Sequence, residues 1–259
     1  MFIRLIITLS IFSSSLVLSQ QGASPQHQYL SGVDTAEKTE SLKQDRPLFN
    51  IGSANSQIEV ACRPDWKCVP DKAHWEEKGK FKPNVRVKMV TLAGSVKSIY
   101  EGYLGSKRKY PLQGRIIWVT AFPELKNFCK NITDKRQIKS SLEKYLGLPP
   151  DTNKEVFITI WVKPEDIFRP CYSPDITTTT CPSQIPPGVP REHINWVTET
   201  FAGSYKKDPN SMAYPFTKMG YAFFWGNPKS MQGGSEYVVK PNAKIFVESV
   251  ESLETYCSN

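Results

Sequence analysis

Apolar and polar residues are distributed along the chain from about residue 85 onward in patterns that predict strands. In residues 85–92 they alternate over much of the stretch, which is typical of a strand with one face turned toward a core. Residues 156–162 are apolar on both faces and rich in β-branched and aromatic side chains, as in a central strand. Four further strands are predicted at 115–120, 221–225, 236–239 and 244–250.

Helical spacing of apolar residues is found in two other regions. A helix in two pieces is predicted after the second strand; its second piece, around 138–146, has Thr133 as its N-cap and ends at Gly147. Another helix begins at Pro190 and ends near Gly203. Strands that alternate irregularly with helices, and a final run of strands, predict an α+β fold. We therefore expect one domain with a mixed, mostly antiparallel sheet and two or three helices.

The first nineteen residues have the three parts of a secretory signal. Arg4 precedes an apolar stretch, and small residues at Val17 and Ser19 fit cleavage after Ser19. A membrane anchor is the alternative, but about twenty predominantly apolar residues are needed to cross a bilayer, and these nineteen include five serines and a threonine. We predict a signal peptide over 1–19, no transmembrane segment, and a mature protein that is secreted or periplasmic.

The composition changes again after residue 56. Residues 20–56 are rich in Gln, Ser, Asp and Lys and poor in large apolar side chains, which predicts a flexible leader. Residues 57–259 have a length and composition that suit one globular domain. The chain has a formal net charge of +8, but its lysines are scattered, so the charge does not predict specific binding to nucleic acid.

Six cysteines in an exported chain predict a disulfide framework. Two short loops and one long one give the favoured pairing among the fifteen that are possible. The predicted pairs are Cys62–Cys68, Cys171–Cys181 and Cys129–Cys257. A zinc site is the alternative, but it would need CxxC pairs or nearby histidines, and the sequence has only three scattered histidines. We expect no metal.

The loop between Cys171 and Cys181 contains four consecutive threonines and predicts an exposed, pre-organised polar surface of the kind that often carries recognition. The sequence contains no GxSxG elbow, no HExxH and no phosphate loop. The first hypothesis is therefore a secreted interaction protein without catalysis or cofactor, whose partner is a protein or surface of the envelope or a host. A nuclease is a weaker alternative, because clustered histidines, carboxylates or a metal site are missing.

A second hypothesis rests on Arg86, Thr120 and Glu236. Arg86 lies on an early strand, Thr120 ends another, and Glu236 begins a late strand after two glycines. This order, with the run Glu-Tyr-Val-Val-Lys-Pro-Asn-Ala-Lys-Ile-Phe-Val over 236–247, resembles the ADP-ribosyltransferases. The resemblance implies NAD as cofactor, with Arg86 on its phosphate or ribose and Thr120 shaping the pocket. Glu236 would then stabilise an oxocarbenium-like transition state.

Three longer blocks, 161–171, 214–221 and 234–257, also look similar to exported bacterial proteins without an assigned activity. This resemblance implies a bacterial origin and agrees with action at an envelope or host target, as a virulence factor would act. It implies no mechanism.

Overall fold

The computed structural model describes residues 23–38, 42–51, 58–63, 66, 75–77, 80–105, 108–205, 213–227 and 229–258. The predicted signal peptide therefore lies outside the described residues. Within these ranges, no helix has the length and apolar character that crossing a membrane requires.

Eleven strands are described. Their bounds are β1 (Val60–Ala61), β2 (Trp75–Glu77), β3 (Lys80–Phe81), β4 (Arg86–Ala93), β5 (Tyr110–Pro111), β6 (Ile117–Ala121), β7 (Val156–Val162), β8 (Ile167–Phe168), β9 (Tyr221–Phe223), β10 (Gln232–Val239) and β11 (Lys244–Ser252). Nine of these form one sheet in the order β5-β11-β7-β4-β6-β10-β8, with β1 beside β4 and β9 beside β10. The pairings described are all antiparallel. β2 and β3 form a separate two-stranded sheet.

The described residues also form six α-helices. They are α1 (Pro25–Glu37), α2 (Lys97–Glu101), α3 (Phe122–Lys130), α4 (Ile138–Tyr145), α5 (Arg191–Ser204) and α6 (Leu253–Ser258). The α+β class and the mostly antiparallel sheet are confirmed. The predicted number of two or three helices is too low, because α2 and α6 are too short to show periodicity and α1 lies in a mostly polar stretch.

Alternation along the strands divides the core into two parts. On one face, Val87, Met89 and Ile160 belong to a large apolar cluster to which nearly every long strand contributes. On the other, Val90 and Phe157 pack against residues of α3, α4 and α6. β7 is buried at every position, as predicted for a central strand, because it is flanked by β4 and β11 and both of its faces are covered.

The leader is ordered where the structure describes it. Tyr29, Val33 and Ala36 lie at helical spacing on α1 and are buried against an aromatic cluster that includes Phe223 and Trp225. The prediction of a flexible leader over 20–56 is therefore wrong for residues 23–38 and 42–51. Its few apolar residues are concentrated on one helical face, and an average composition does not register that arrangement.

Arg46 fixes the second part of the leader to the sheet. Its guanidinium donates hydrogen bonds to the backbone carbonyl oxygens of Gln232 at 2.8 Å and Gly233 at 2.5 Å. It also lies 3.3 Å from the buried carboxylate of Glu124, which accepts a hydrogen bond from the Ser235 amide at 2.9 Å. Burial raises the pKa of Glu124, while Ser235 and Arg46 oppose that rise. The domain thus includes residues N-terminal to the predicted boundary at 57.

Two of the three predicted disulfides are present. Cys129–Cys257 connects α3 to α6 across 128 residues, and Cys171–Cys181 closes a ten-residue separation. Cys62 is also disulfide-bonded, but its predicted partner Cys68 lies outside the described ranges.

Candidate functional site

Two of the three residues named by the second hypothesis are direct neighbours. Thr120 on β6 and Glu236 on β10 are paired in the antiparallel register of these strands. Residues paired in this way project from the same face of a sheet. The Glu236 amide donates to the carbonyl oxygen of Gly220, which holds the strand on its other side.

Glu236 lies where two cavities adjoin. The larger has a volume of about 390 Å³ and is bounded by the end of α4, by α5 and by the segment 214–216. The smaller, of about 100 Å³, extends toward Thr120. Both are lined by Trp118, Leu146, Leu148, Lys154 and Glu236. We refer to the two together as the Glu236 cleft.

The carboxyl group of Glu236 has no partner in the part of the chain that the structure describes. Its Oε2 atom is sealed from solvent and receives no hydrogen bond, although the residue as a whole is half-buried. Burial raises the pKa of Glu236 from 4.5 to about 8, so the group is mostly protonated at neutral pH. A buried polar group without a hydrogen bond is unfavourable by a few kcal/mol, roughly 1–3 in proteins. Such a group in a cleft is a candidate for ligand contact.

Lys154 is the second ionisable group of the cleft that has no charged partner, and it lies just before β7. Its ammonium group donates to the carbonyl oxygen of Leu92 at 3.4 Å, and burial lowers its pKa. Among the described residues no carboxylate forms an ion pair with Lys154. This includes Glu236, although it lines the same cleft. The cleft thus contains a half-buried acid and a half-buried base that form no ion pair with each other.

Aromatic side chains form the remaining walls. Trp118 is half-buried, and its ring meets Phe216 edge to face at 5.6 Å and Trp196 at 5.9 Å. Tyr214 is 49% exposed at the edge of the larger cavity. Trp161 and Trp225 are buried, whereas Trp118 lines the cleft.

Arg86 does not belong to this cleft. It lies four residues before Val90, the β4 residue that pairs with Thr120. Its buried guanidinium lies 5.4 Å from the ring of Trp66 and 4.8 Å from that of Phe246. The prediction that Arg86 converges with Thr120 and Glu236 is therefore wrong, because its position along β4 directs it into another part of the molecule.

The loop closed by Cys171–Cys181 is less available for recognition than predicted. The carbonyl oxygens of Ile176 and Thr179 accept hydrogen bonds from the amides of Ile51 and Leu48, so one edge of the loop is covered by the leader. The carbonyl oxygen of Thr178 accepts a hydrogen bond from the buried guanidinium of Arg169. Exposed side chains remain at its outer side, including that of Thr180.

The sequence alone contained no sign of Lys154 as a site residue. It lies in a short polar stretch before β7, where a lysine is most often solvated. Tyr214 and Phe216 lay in one of the blocks similar to exported bacterial proteins, without an assigned role. Within the described ranges, no group of three or more His, Cys, Asp or Glu residues is arranged to hold a metal ion.

We compared the chain with models of protein families, with curated proteins and with solved structures, and none of the three comparisons gave a match.

Proposed function

We propose that this protein is exported and that it recognises a small organic cation in the Glu236 cleft. The observation that carries the proposal is the buried, unpartnered carboxyl of Glu236 between aromatic walls. A cation placed there would pair with the carboxylate and stack against the rings of Trp118 and Phe216. Carboxylates and aromatic rings are the groups that proteins use to bind alkylammonium ions.

The binding energy has an identifiable source. Without a ligand, Glu236 retains its proton up to about pH 8 because ionisation in the cleft is unfavourable. A bound cation makes the ionised form favourable, and the carboxyl gives up its proton when the ligand enters. Affinity for a cation should therefore rise by up to about tenfold per pH unit below pH 8 and level off above it.

The test uses choline and tetramethylammonium as probes, with titration calorimetry and intrinsic tryptophan fluorescence as readouts at pH 6, 7, 8 and 9. We expect binding that strengthens toward pH 8, takes place with proton release below pH 8, and is lost in Glu236→Gln. Glu199→Gln, an exposed position on α5, is the matched control and should bind as the wild type does. If neither probe binds, or if affinity is independent of pH and of Glu236, the proposal fails.

An enzyme that uses NAD is the second candidate function. It is supported by the pairing of Thr120 with Glu236 and by the fact that the nicotinamide ring of NAD is itself a planar aromatic cation. Because Arg86 lies elsewhere, the phosphate contact implied by the resemblance would need another residue. The test is nicotinamide release from NAD by the oxidised mature protein. Nicotinamide release by the wild type that disappears in Glu236→Gln would favour this candidate. If the wild type releases no nicotinamide, with or without host-cell extract, cation binding is the favoured function.

The proposed export is supported by the disulfides, since such bonds persist mainly outside the reducing cytoplasm. It is tested by expressing the full chain in a bacterium and sequencing the amino terminus of the exported product, which we expect to begin at Gln20. Retention of the full-length chain in the cytoplasm would contradict it.

A further inference from the structure

Lys154 lies at the junction of the Glu236 cleft and a neighbouring cavity. That neighbouring cavity has a volume of about 400 Å³ and is lined by Lys154, Trp118, Arg115, Ile116 and Asn153 among others. Its charged lining groups are cations, since no aspartate or glutamate of the described chain lines it. Lys154 therefore faces open space on two sides, with its ammonium held by a single backbone carbonyl oxygen.

An ammonium ion in this setting favours an anion. It has three donors, of which the Leu92 carbonyl oxygen occupies one at a distance of 3.4 Å. The Arg115 guanidinium on the far side of the neighbouring cavity already donates to the Tyr110 hydroxyl and the Leu112 carbonyl oxygen. Arg115 is exposed, so water can occupy its remaining donors, whereas the half-buried Lys154 ammonium has donors that no group of the described residues uses. Charge-assisted hydrogen bonds from ammonium to carboxylate or phosphate are among the strongest in proteins.

An ion pair between Lys154 and Glu236 would explain why both groups lie in one cleft, but the described structure contains no such pair. The Lys154 ammonium and the Glu236 carboxyl are therefore each available to a charged group of a ligand. A ligand that carried only a positive charge would satisfy Glu236 and leave Lys154 repelling it. A ligand that carried both charges would satisfy both groups.

We propose that Lys154 is the anion-recognition residue of the Glu236 cleft and that the natural ligand is a zwitterion. Its anionic group, a carboxylate or a phosphate, meets the Lys154 ammonium, and its cationic group meets Glu236 between Trp118 and Phe216. This inference rests on the proposed function, since it adds a second charge to the organic cation proposed there.

The experiment compares three probes that share one trimethylammonium group. Choline carries the cation alone, glycine betaine adds a carboxylate, and glycerophosphocholine adds a phosphodiester, which also carries a single negative charge, at a larger separation. Titration calorimetry at pH 8 should show at least one zwitterion binding about tenfold or more tightly than choline in the wild type. Which zwitterion binds more tightly then distinguishes carboxylate from phosphate as the anionic group.

Variants of Lys154 decide whether that preference depends on its charge. In Lys154→Gln the preference for the zwitterion should fall to within about twofold, while choline binds at least as well as before because a repulsion is removed. Lys154→Arg should restore part of the preference, and Lys130→Gln, an exposed lysine of α3, is the control and should leave it unchanged. Thermal unfolding of each variant shows whether it is folded.

Two results would overturn the inference. One is equal binding of choline and both zwitterions to the wild type. The other is a zwitterion preference that persists in a folded Lys154→Gln variant. Failure of all three probes, choline included, would instead refute the cation site itself, so the two proposals can fail separately.

Discussion

Replacing Glu236 by Gln should stabilise the protein, and the gain should grow with pH. Gln has nearly the same shape as Glu and does not ionise, so it removes the unfavourable charging of a buried group. In the wild type the unfolded chain loses this proton near pH 4.5, whereas the folded protein keeps it up to about pH 8. Between these values the folded state binds more protons than the unfolded state, so the stability of the wild type falls as pH rises.

The size of the effect follows from the two pKa values. Each unit of difference between the folded and unfolded states corresponds to about 1.4 kcal/mol, and the full difference would give about 5 kcal/mol above pH 8. Because Glu236 is half-buried and borders a cavity that admits water, screening reduces this figure. We therefore expect the free energy of unfolding of the variant to gain about 3 kcal/mol on the wild type between pH 5 and pH 8.

The assay is urea denaturation of both proteins at pH 5, 6, 7 and 8, followed by tryptophan fluorescence. Other carboxyl groups with raised pKa values, such as Glu124 and Asp166, affect both proteins alike and cancel in the difference. Glu199→Gln should differ from the wild type by a constant amount. If the difference in free energy of unfolding between Glu236→Gln and the wild type stays constant from pH 5 to pH 8, the Glu236 carboxyl is well solvated. That result would contradict a buried, unpartnered carboxyl in the cleft.

Three further substitutions test the fold. Replacing Cys129 and Cys257 together by Ser should lower the free energy of unfolding by about 4 kcal/mol in denaturant titrations, because the bond closes a loop of more than a hundred residues. A loss below about 1 kcal/mol would contradict a stabilising role of this disulfide. Arg46→Met should lower the free energy of unfolding by about 2 kcal/mol, because the buried carboxylate of Glu124 loses its cation. The leader should also be cleaved faster in limited proteolysis. Unchanged cleavage would mean that other contacts hold the leader. Gly233→Ala should lower the free energy of unfolding by about 3 kcal/mol in thermal unfolding, because the added Cβ would lie 2.1 and 2.6 Å from two backbone oxygens. Gly203→Ala on α5, where the added Cβ meets no atom within 4 Å, is the control and should be neutral or stabilising. Equal effects of the two substitutions would contradict the close packing at Gly233.

Local pattern was sufficient to predict much of the sheet. The central strand at 156–162 is β7, and the alternating run at 85–92 overlaps β4 almost completely. These predictions succeed because side-chain periodicity follows directly from strand geometry. The Cys129–Cys257 and Cys171–Cys181 bonds agree with a choice based on loop length. The resemblance implied that Thr120 and Glu236 share a pocket, and the register of β6 and β10 makes the two residues direct neighbours.

Tertiary structure decided what local pattern does not encode. Composition averaged over 20–56 indicates disorder, but the ordering of this segment depends on Arg46 meeting carbonyl oxygens almost two hundred residues away. Arg86 and Thr120 both lie on long strands of one sheet, and only the register shows that Arg86 is directed toward Trp66 and Phe246.

The sequence by itself determined the α+β class, most strands and the oxidised cysteines, because each depends on periodicity or residue type within a short stretch. The tertiary structure alone decided that Lys154 and Glu236 share a cleft and that neither is neutralised. Those properties depend on burial and on the absence of a nearby counter-charge, which arise from the packing of segments that are far apart in the chain.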